Sequence, residues 1–362
     1  VAQRGTVLIL VLLIVALVAG LGIKYASQYQ LGMARAESRW HGMQARAFLE
    51  GTEELAKIVF PSADIDPTSD YIGEPWSNEV PIEEDGVTGV AKLVDATSRL
   101  NLNDLDMNKP FDPNIPIGSA NRYSEPQRRF IRLLQTFPDL QINQQDAEYL
   151  LEAVVDWIDR DDAESGQGGA ESNYYQGQPD PYLPANGLFQ SVDELRLVRG
   201  FAERPDIVLS LLPFVTVLPT NEAGININTI DAGTEAGDEN KQAVSNLVRA
   251  LNAETSLTPI DELDAQQFLS KRPETGFADT QALMDAWSGQ FSERLDGSFL
   301  NTATKYFWLE ATVQLVDQRR SMRSLMKVVE VDGIRNLSVV QRDDVFELPS
   351  QVHKKEDEKS DE

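Results

Sequence analysis

Cysteine is absent from this chain, which excludes disulfides, zinc–thiolate sites and thiol nucleophiles. That absence does not place the chain on either side of a membrane, because many proteins outside the cytosol lack disulfides. Histidine is nearly missing too: only His41 and His353 are present, far apart, so histidine-rich catalysis is excluded. Positive charge is scarce. Lys and Arg total 32 against 58 Asp and Glu, a net charge of −26, which repels a phosphate backbone and suits cationic partners or calcium. No nucleophile–base pair, metal triad or phosphate loop stands out, so the chain reads as a non-enzyme. A length of 362 residues implies two domains, or one domain with a large insertion.

What is present begins with an uncharged run, TVLILVLLIVALVAGLGI from Thr6 to Ile23, just long enough to cross a bilayer as a helix. Lys24 ends it. A secretory signal has a shorter apolar stretch with its small-residue cleavage site on the far side, whereas here Gln3-Arg4-Gly5 stands in front. On these residues alone a plain signal anchor and a processed leader remain equal readings. Beyond Lys24, Tyr25, Tyr29, Met33, Ala36, Trp40, Met43 and Ala47 recur at steps of three or four, so the helix continues with one apolar face. It is expected to stop at Phe60 before Pro61, giving roughly 80 Å of helix. The C-terminal part of the stripe is expected to pack on a globular body.

Residues 62–86, rich in Pro, Asp, Ser and Gly, read as loop. A short strand is expected from Gly89 to Asp95. The clearest strand is Tyr306 to Val316, with Phe307, Leu309, Ala311, Val313 and Leu315 on one face and Tyr306, Trp308, Glu310, Thr312 and Gln314 on the other. After a turn at Asp317-Gln318-Arg319 come strands Ser321 to Val331 and Ile334 to Arg342, joined by Asp332-Gly333. Between residues 105 and 300 the pattern is helical, with apolar clusters in Gln127 to Phe137, Asp146 to Ile158, Ser191 to Val198, Pro205 to Leu212, Asn240 to Asn252 and Thr280 to Ala286. The fold class is therefore α+β: a long N-terminal helix on a small antiparallel sheet (61–104 and 301–342), with a large inserted all-α domain (105–300). The charged segment 343–362 cannot bury a core and reads as a disordered tail.

Two segments look like an internal repeat, Leu100-Asn101-Leu102-Asn103 and Ile225-Asn226-Ile227-Asn228. Asn side chains capping turns or helix starts account for them. The second, with Val192 to Gly200, resembles helix-hairpin-helix modules of DNA-uptake proteins, so the alternative function is a membrane-tethered nucleic-acid-binding module. Its flanks, however, are acidic. The densest polar segment is DWIDRDDAESGQGGAESN, from Asp156 to Asn173. Its carboxylates repel one another unless a cation or solvent compensates, so a calcium site and a solvated acidic loop both remain open. Glu164 stands where an EF-hand needs Gly.

Arg4-Gly5 before an apolar helix resembles the processing site of type IV prepilins and pseudopilins. The ordered landmarks Ser98-Arg99-Leu100-Asn101-Leu102-Asn103, Asp156-Trp157-Ile158-Asp159, Gly169-Ala170-Glu171, Asp193-Glu194-Leu195, Asn226-Ile227-Asn228-Thr229 and Tyr306-Phe307 resemble the minor pseudopilin K family of type II secretion systems. The resemblance implies a type IV pilin-like fold. It implies a leader over residues 1–5 cut by prepilin peptidase between Gly5 and Thr6, N-methylation of Thr6, a transmembrane part over 6–23 and a periplasmic helix over 24–60. Most pilins carry Glu at the fifth mature position; Leu10 stands there, a lack the K pseudopilins share and one a tip subunit tolerates. The implied partners are minor pseudopilins I and J, the inner-membrane secretion platform and secreted cargo. Calcium in the inserted domain follows from the same resemblance, with Asp159, Asp161, Glu164, Glu171 and Asn173 as the expected ligands.

Overall fold

The computed structural model describes residues 3–61, 65–66, 68–84, 86–106, 115–230, 246–316 and 318–345. Helix α1, Gln3–Val59, runs for 57 residues, uninterrupted because no proline occurs before Pro61. Gly5 and Thr6 fall in its first turns, and their side chains lie outside the described residues. From Val7 to Trp40 every side chain of α1 is exposed. Contact with the body starts at the half-buried His41 and continues through Ala45, Phe48, Leu49, Thr52, Glu53, Ala56 and Phe60.

The helix turns a different face to the body than its apolar stripe suggests. Trp40 is 59% exposed, Met43 61%, and Ala47 is exposed as well. At 100° per residue the stripe lies roughly opposite the buried face. The sheet is met instead by a second, mixed face of small and large residues, Ala45, Phe48, Leu49, Thr52, Ala56 and Phe60, and by one buried carboxylate. Glu53 accepts from Ser324 Oγ at 2.6 Å and from Arg342 Nη2 at 2.7 Å.

The body is one antiparallel sheet of β1 (Val80–Glu84), β2 (Val87–Asp95), β7 (Tyr306–Leu315), β8 (Gln318–Val331) and β9 (Ile334–Val345), in the order β1-β2-β7-β8-β9. Strands β3 to β6 are short and lie in the insertion. Strand β1 and a 3₁₀ turn at Pro75–Ser77 occupy part of the segment expected to be loop. Tertiary pairing to β2 holds β1 in place, since its own residues are mostly exposed. Strand β8 begins at Gln318, so the preceding turn sits earlier than the sequence suggests, with Val316 at positive φ. The Asp332-Gly333 turn has both residues at positive φ, as a tight hairpin requires. Strand β9 reaches Val345, three residues into the segment assigned to the tail, because it stays paired with β8 as far as Ser321 opposite Val345; Asp344 there also meets Arg46 of α1 at 3.0 Å. The tail from 346 lies outside the described residues.

Phe307 anchors the body core, edge-on to Phe60 at 5.2 Å and to Trp76 at 4.9 Å. The opposite face of β7 is buried as well, contrary to its polar appearance. Tyr306 and Trp308 pack with Leu325, Leu218 and Ala223, so the inserted unit covers the second face of the sheet. Arg323 stacks 4.0 Å above the Trp308 ring and lies 3.3 Å from Glu310.

The insertion packs around one hydrophobic core that extends from Leu100 to Leu300. It therefore takes in Leu100 and Leu102, which the sequence boundary gave to the body. Its helices are α2 (Glu125–Leu134), α3 (Gln144–Ile158), α4 (Ser172–Gln176), α5 (Pro205–Leu211), α6 (Asn246–Arg249), α7 (Glu262–Leu269) and α8 (Thr280–Ser288). The expected Ser191–Val198 helix is a 3₁₀ segment, Val192–Leu197. Residues 240–245 of another expected helix lie outside the described residues. The unit also holds two short parallel strand pairs, β3 (Leu100–Asn101) with β4 (Val215–Thr216) and β5 (Ile225–Asn226) with β6 (Leu300–Asn301).

The two Asn segments are equivalent in structure. Asn103 accepts from Phe189 N at 2.7 Å and donates to Phe189 O at 3.1 Å. Asn228 does the same with Phe277, at 2.7 and 3.0 Å. Each phenylalanine is followed two residues later by an N-cap, Ser191 or Asp279, and then by a fully buried leucine, Leu195 or Leu283. Asn101 caps the 3₁₀ turn Leu102–Leu105, accepting from Asn103 N at 3.3 Å, and Asn226 accepts from Asn228 N at 3.0 Å, so the turn-capping role and the repeat are both present. Asn226 also ties the insertion to the body, donating to Asp95 Oδ2 and to Asp70 O, each at 3.0 Å. Asp95 and Asp104 are both buried and occupied by hydrogen bonds within this framework.

Candidate functional site: an acidic cluster at the end of α3

Helix α3 ends at Ile158 with Asp159 as its C-cap and no basic residue in the last turn. Its carbonyl end therefore adds negative potential where cations are favoured. Asp156 and Asp159, three residues apart, lie on one face. The chain then loops through Gly166, Gly168 and Gly169 and returns to place Glu171 at the N-cap of α4. All three of these glycines are dictated by crowding: a Cβ at Gly166, which has φ +81°, would overlap the Glu152 carboxylate, one at Gly168 the backbone of Tyr149, and one at Gly169 Asp156 and the backbone of Ser165. The glycines let the loop lie against α3, which carries Glu171 back to the two aspartates.

The outcome is a compact group in which one oxygen each from Asp156, Asp159 and Glu171 lies within 4.8 Å of the others. Asp156 is 0% exposed and Glu171 1%; Asp159 is half-buried. Asp156 accepts from Ser165 N at 3.0 Å. By contrast, Asp159 Oδ1 and both carboxylate oxygens of Glu171 are buried without a hydrogen-bond partner. Burial, then the charges of Asp156, Asp161 and Asp106, pushes Asp159 up to about 7. Burial and the charges of Asp156, Asp159, Asp162 and Asp161 push Glu171 up to about 8. Burial raises Asp156 as well. No arginine or lysine pairs with these three carboxylates among the described residues.

Buried carboxylate oxygens without partners normally cost a few kcal/mol each, unless a cation compensates. An all-oxygen donor set with no imidazole or thiolate is the chemistry of a hard cation. The structure brings together Asp159 and Glu171 of the expected ligands and adds Asp156, which the sequence reading left out of its first choices. The signal was available in the three-residue spacing on α3. Asp161 is exposed and takes the amide of Ala163 at 2.9 Å, although its charge is felt by both raised carboxyls. Glu164 and Asn173 are exposed and stand outside the compact group. An extended loop cannot bring all its acids to one point once its glycines have fixed the path.

Residues 98–220, which contain this cluster, match the family model for type II secretion system protein K. The chain is 29% identical over 329 residues to the type II secretion system protein K of Aeromonas hydrophila, covering 89% of this chain and 92% of that protein. It is 31% identical over 291 residues to the putative type II secretion system protein K of Escherichia coli K12, covering 80% of each. The chain belongs to the type II secretion system protein K family. A solved relative, described in the GspK-GspI-GspJ complex of enterotoxigenic E. coli, shares the fold with a TM-score of 0.65 at 21% identity, covering 86% of this chain and all of that one. As a K-family member the chain is a component of the secretion machinery, as the ordered landmarks had indicated. Its apolar run, Val7 onward in α1, is long and apolar enough to cross a membrane.

Proposed function

We propose that this K-family chain is the tip subunit of a periplasmic pseudopilus. It is anchored in the bacterial inner membrane by the start of α1, cut by prepilin peptidase between Gly5 and Thr6, and methylated at Thr6. It nucleates assembly with minor pseudopilins I and J on the inner-membrane platform and supports export of folded cargo. The observation that carries the reading is the division of α1 into two faces. One buries Ala45, Leu49 and Glu53 against the body, while the other leaves Tyr29, Met33, Trp40 and Met43 in solvent. A stripe of that size in water is a contact surface. The solved relative's description in a complex with the I and J proteins supports those partners, and the bulk of the insertion beside the sheet supports one copy at an end over many along a filament.

Asp156, Asp159 and Glu171 would hold calcium, with Asp161 and Asp162 adding charge. The ion would supply the positive charge that the buried carboxylates lack and so fix the loop. The nucleic-acid alternative loses its carrier, since Asn226 and Asn228 are buried and spent on internal hydrogen bonds. The test is the mass of the N-terminal peptide from membranes with and without prepilin peptidase, together with export in a strain lacking this chain. A peptidase-dependent methylated terminus at Thr6 and lost export are expected. A terminus unchanged by the peptidase would refute the processing.

A further inference from the structure

A cleft of about 260 Å³ opens beside the glycine loop, lined by Tyr149 and Leu150 of α3, Gln167 and Gly168 of the loop, and Arg199 and Gly200. Both sides stand directly on the helix. A Cβ at Gly168 would overlap the Tyr149 backbone, and one at Gly200, which has φ +84°, would come within 2.6 Å of Leu150 Cδ2. The Tyr149 hydroxyl accepts from Gln145 Nε2 at 2.6 Å and donates to Gln167 Oε1 at 2.9 Å. Gly168 N–H donates to Glu152 at 2.8 Å and Gly200 N–H to Glu203 at 2.7 Å. Arg199 Nη1 donates to Gly169 O at 2.7 Å, and its guanidinium lies 5.0 Å over the Tyr174 ring. The side-chain groups of the cleft left without a protein partner among the described residues are therefore donors, Gln167 Nε2 and the Nε and Nη2 of Arg199. In a chain with 58 acids to 32 bases, this arginine is held in place yet paired with no carboxylate among the described residues. Glu203 is spent on Gly200 N–H and the Tyr174 hydroxyl, and Glu152 faces Arg122 at 3.5 Å.

We infer that this cleft binds a carboxylate of another polypeptide. Arg199 offers a planar fork for two parallel bonds to the carboxylate oxygens. The Gly169 carbonyl and the Tyr174 ring fix the orientation of that fork, so little freedom is lost on binding. Gln167 Nε2 adds a third donor, and Leu150 with the Tyr149 ring takes the carbons that carry the carboxylate. Size decides for a polypeptide. Small-molecule sites usually measure about 300 Å³ or more and enclose most of the ligand, whereas a smaller cleft open to solvent takes one anchoring residue of a longer chain. The carboxylate is that of an acidic side chain or of a chain terminus, since both present the same two oxygens. The cleft belongs to the insertion, while α1 packs on the sheet, so the inference stands apart from the anchoring and processing proposed above.

The test titrates the full ¹⁵N-labelled chain in detergent micelles with a short acetylated Ala/Ser peptide in three forms: with a free C-terminal carboxylate, amidated, and amidated with a central Asp. The amide signals of Gly168 and Gly200 are expected to move with a Kd on the order of 10⁻⁴ M for a carboxylate peptide. The amidated form without Asp should bind about tenfold or more weakly. Binding of either carboxylate peptide supports the inference, and the tighter one names the source as side chain or terminus. Gln167→Glu keeps an acceptor for Tyr149 but sets a carboxylate at the cleft, so it should weaken binding about tenfold with an unchanged melting temperature. Arg199→Lys keeps the charge without the fork and should weaken binding several-fold. Equal binding of the amidated form, a Gln167→Glu variant that binds normally, or no shift at Gly168 and Gly200 with millimolar peptide would each overturn the inference. Acetate binding as tightly as the peptides would overturn the assignment to a polypeptide.

Discussion

Replacing Glu171 by Gln should change stability in opposite directions with and without calcium. Both Glu171 and Asp159 have folded values raised above their ordinary ones, from 4.5 to about 8 and from 3.8 to about 7. A raised acid keeps its proton in the folded state, so its favourable contribution is complete below about pH 4 and is lost as pH climbs through 7 to 8. At about 1.4 kcal/mol per pH unit, the climb of Glu171 alone sets a ceiling of roughly 5 kcal/mol. Repulsion shared among the three carboxylates, and solvent near the half-buried Asp159, bring the expected loss to about 2–3 kcal/mol for the pair. Without divalent ions at pH 8, Glu171→Gln removes part of that repulsion and should stabilise the fold by about 1–2 kcal/mol. With calcium at a hundred times its dissociation constant, the parent should gain about 2.7 kcal/mol and the variant little. The assay is thermal unfolding of the full chain in detergent, followed by tryptophan fluorescence at pH 5 and pH 8, with calcium and with chelator. A variant less stable than the parent at pH 8 in chelator, or one gaining as much from calcium as the parent does, would refute the reasoning.

Two further outcomes test the framework around the site. Asn228→Ala should cost about 2–3 kcal/mol, since it leaves Phe277 N–H buried without its acceptor, and hydrogen exchange should rise locally near α8. Arg342→Ala should loosen α1 from the sheet. Burial pushes Glu53 up, but hydrogen bonds from Arg342 and Ser324 outweigh it and hold the group below its ordinary value. The stability this pair gives is therefore present above about pH 4.5 and lost as pH falls, and the variant should lose that dependence together with about 1–2 kcal/mol in an acid titration of unfolding.

Much of the molecule was determined by local pattern. An apolar run followed by proline-free helix fixes α1, strict alternation fixes β7, and the Asp332-Gly333 pair fixes the last hairpin, because each rests on the period or dihedral freedom of a few adjacent residues. The acids between Asp156 and Asn173 marked the candidate site in the same way. Tertiary structure decided what depends on a second surface. Which face of α1 meets the sheet followed from the fit of Ala45, Phe48, Leu49, Ala56 and Phe60 into the body core, and the more conspicuous apolar stripe pointed to the other face. Strand β1 exists through its pairing with β2. The polar-looking side of β7 is buried because the insertion lies on it. Asp156, Asp159 and Glu171 were selected from a crowd of carboxylates by the path of a glycine loop folding back on α3, and a distance between residues fifteen apart in sequence is set by that path and by nothing in the spacing itself.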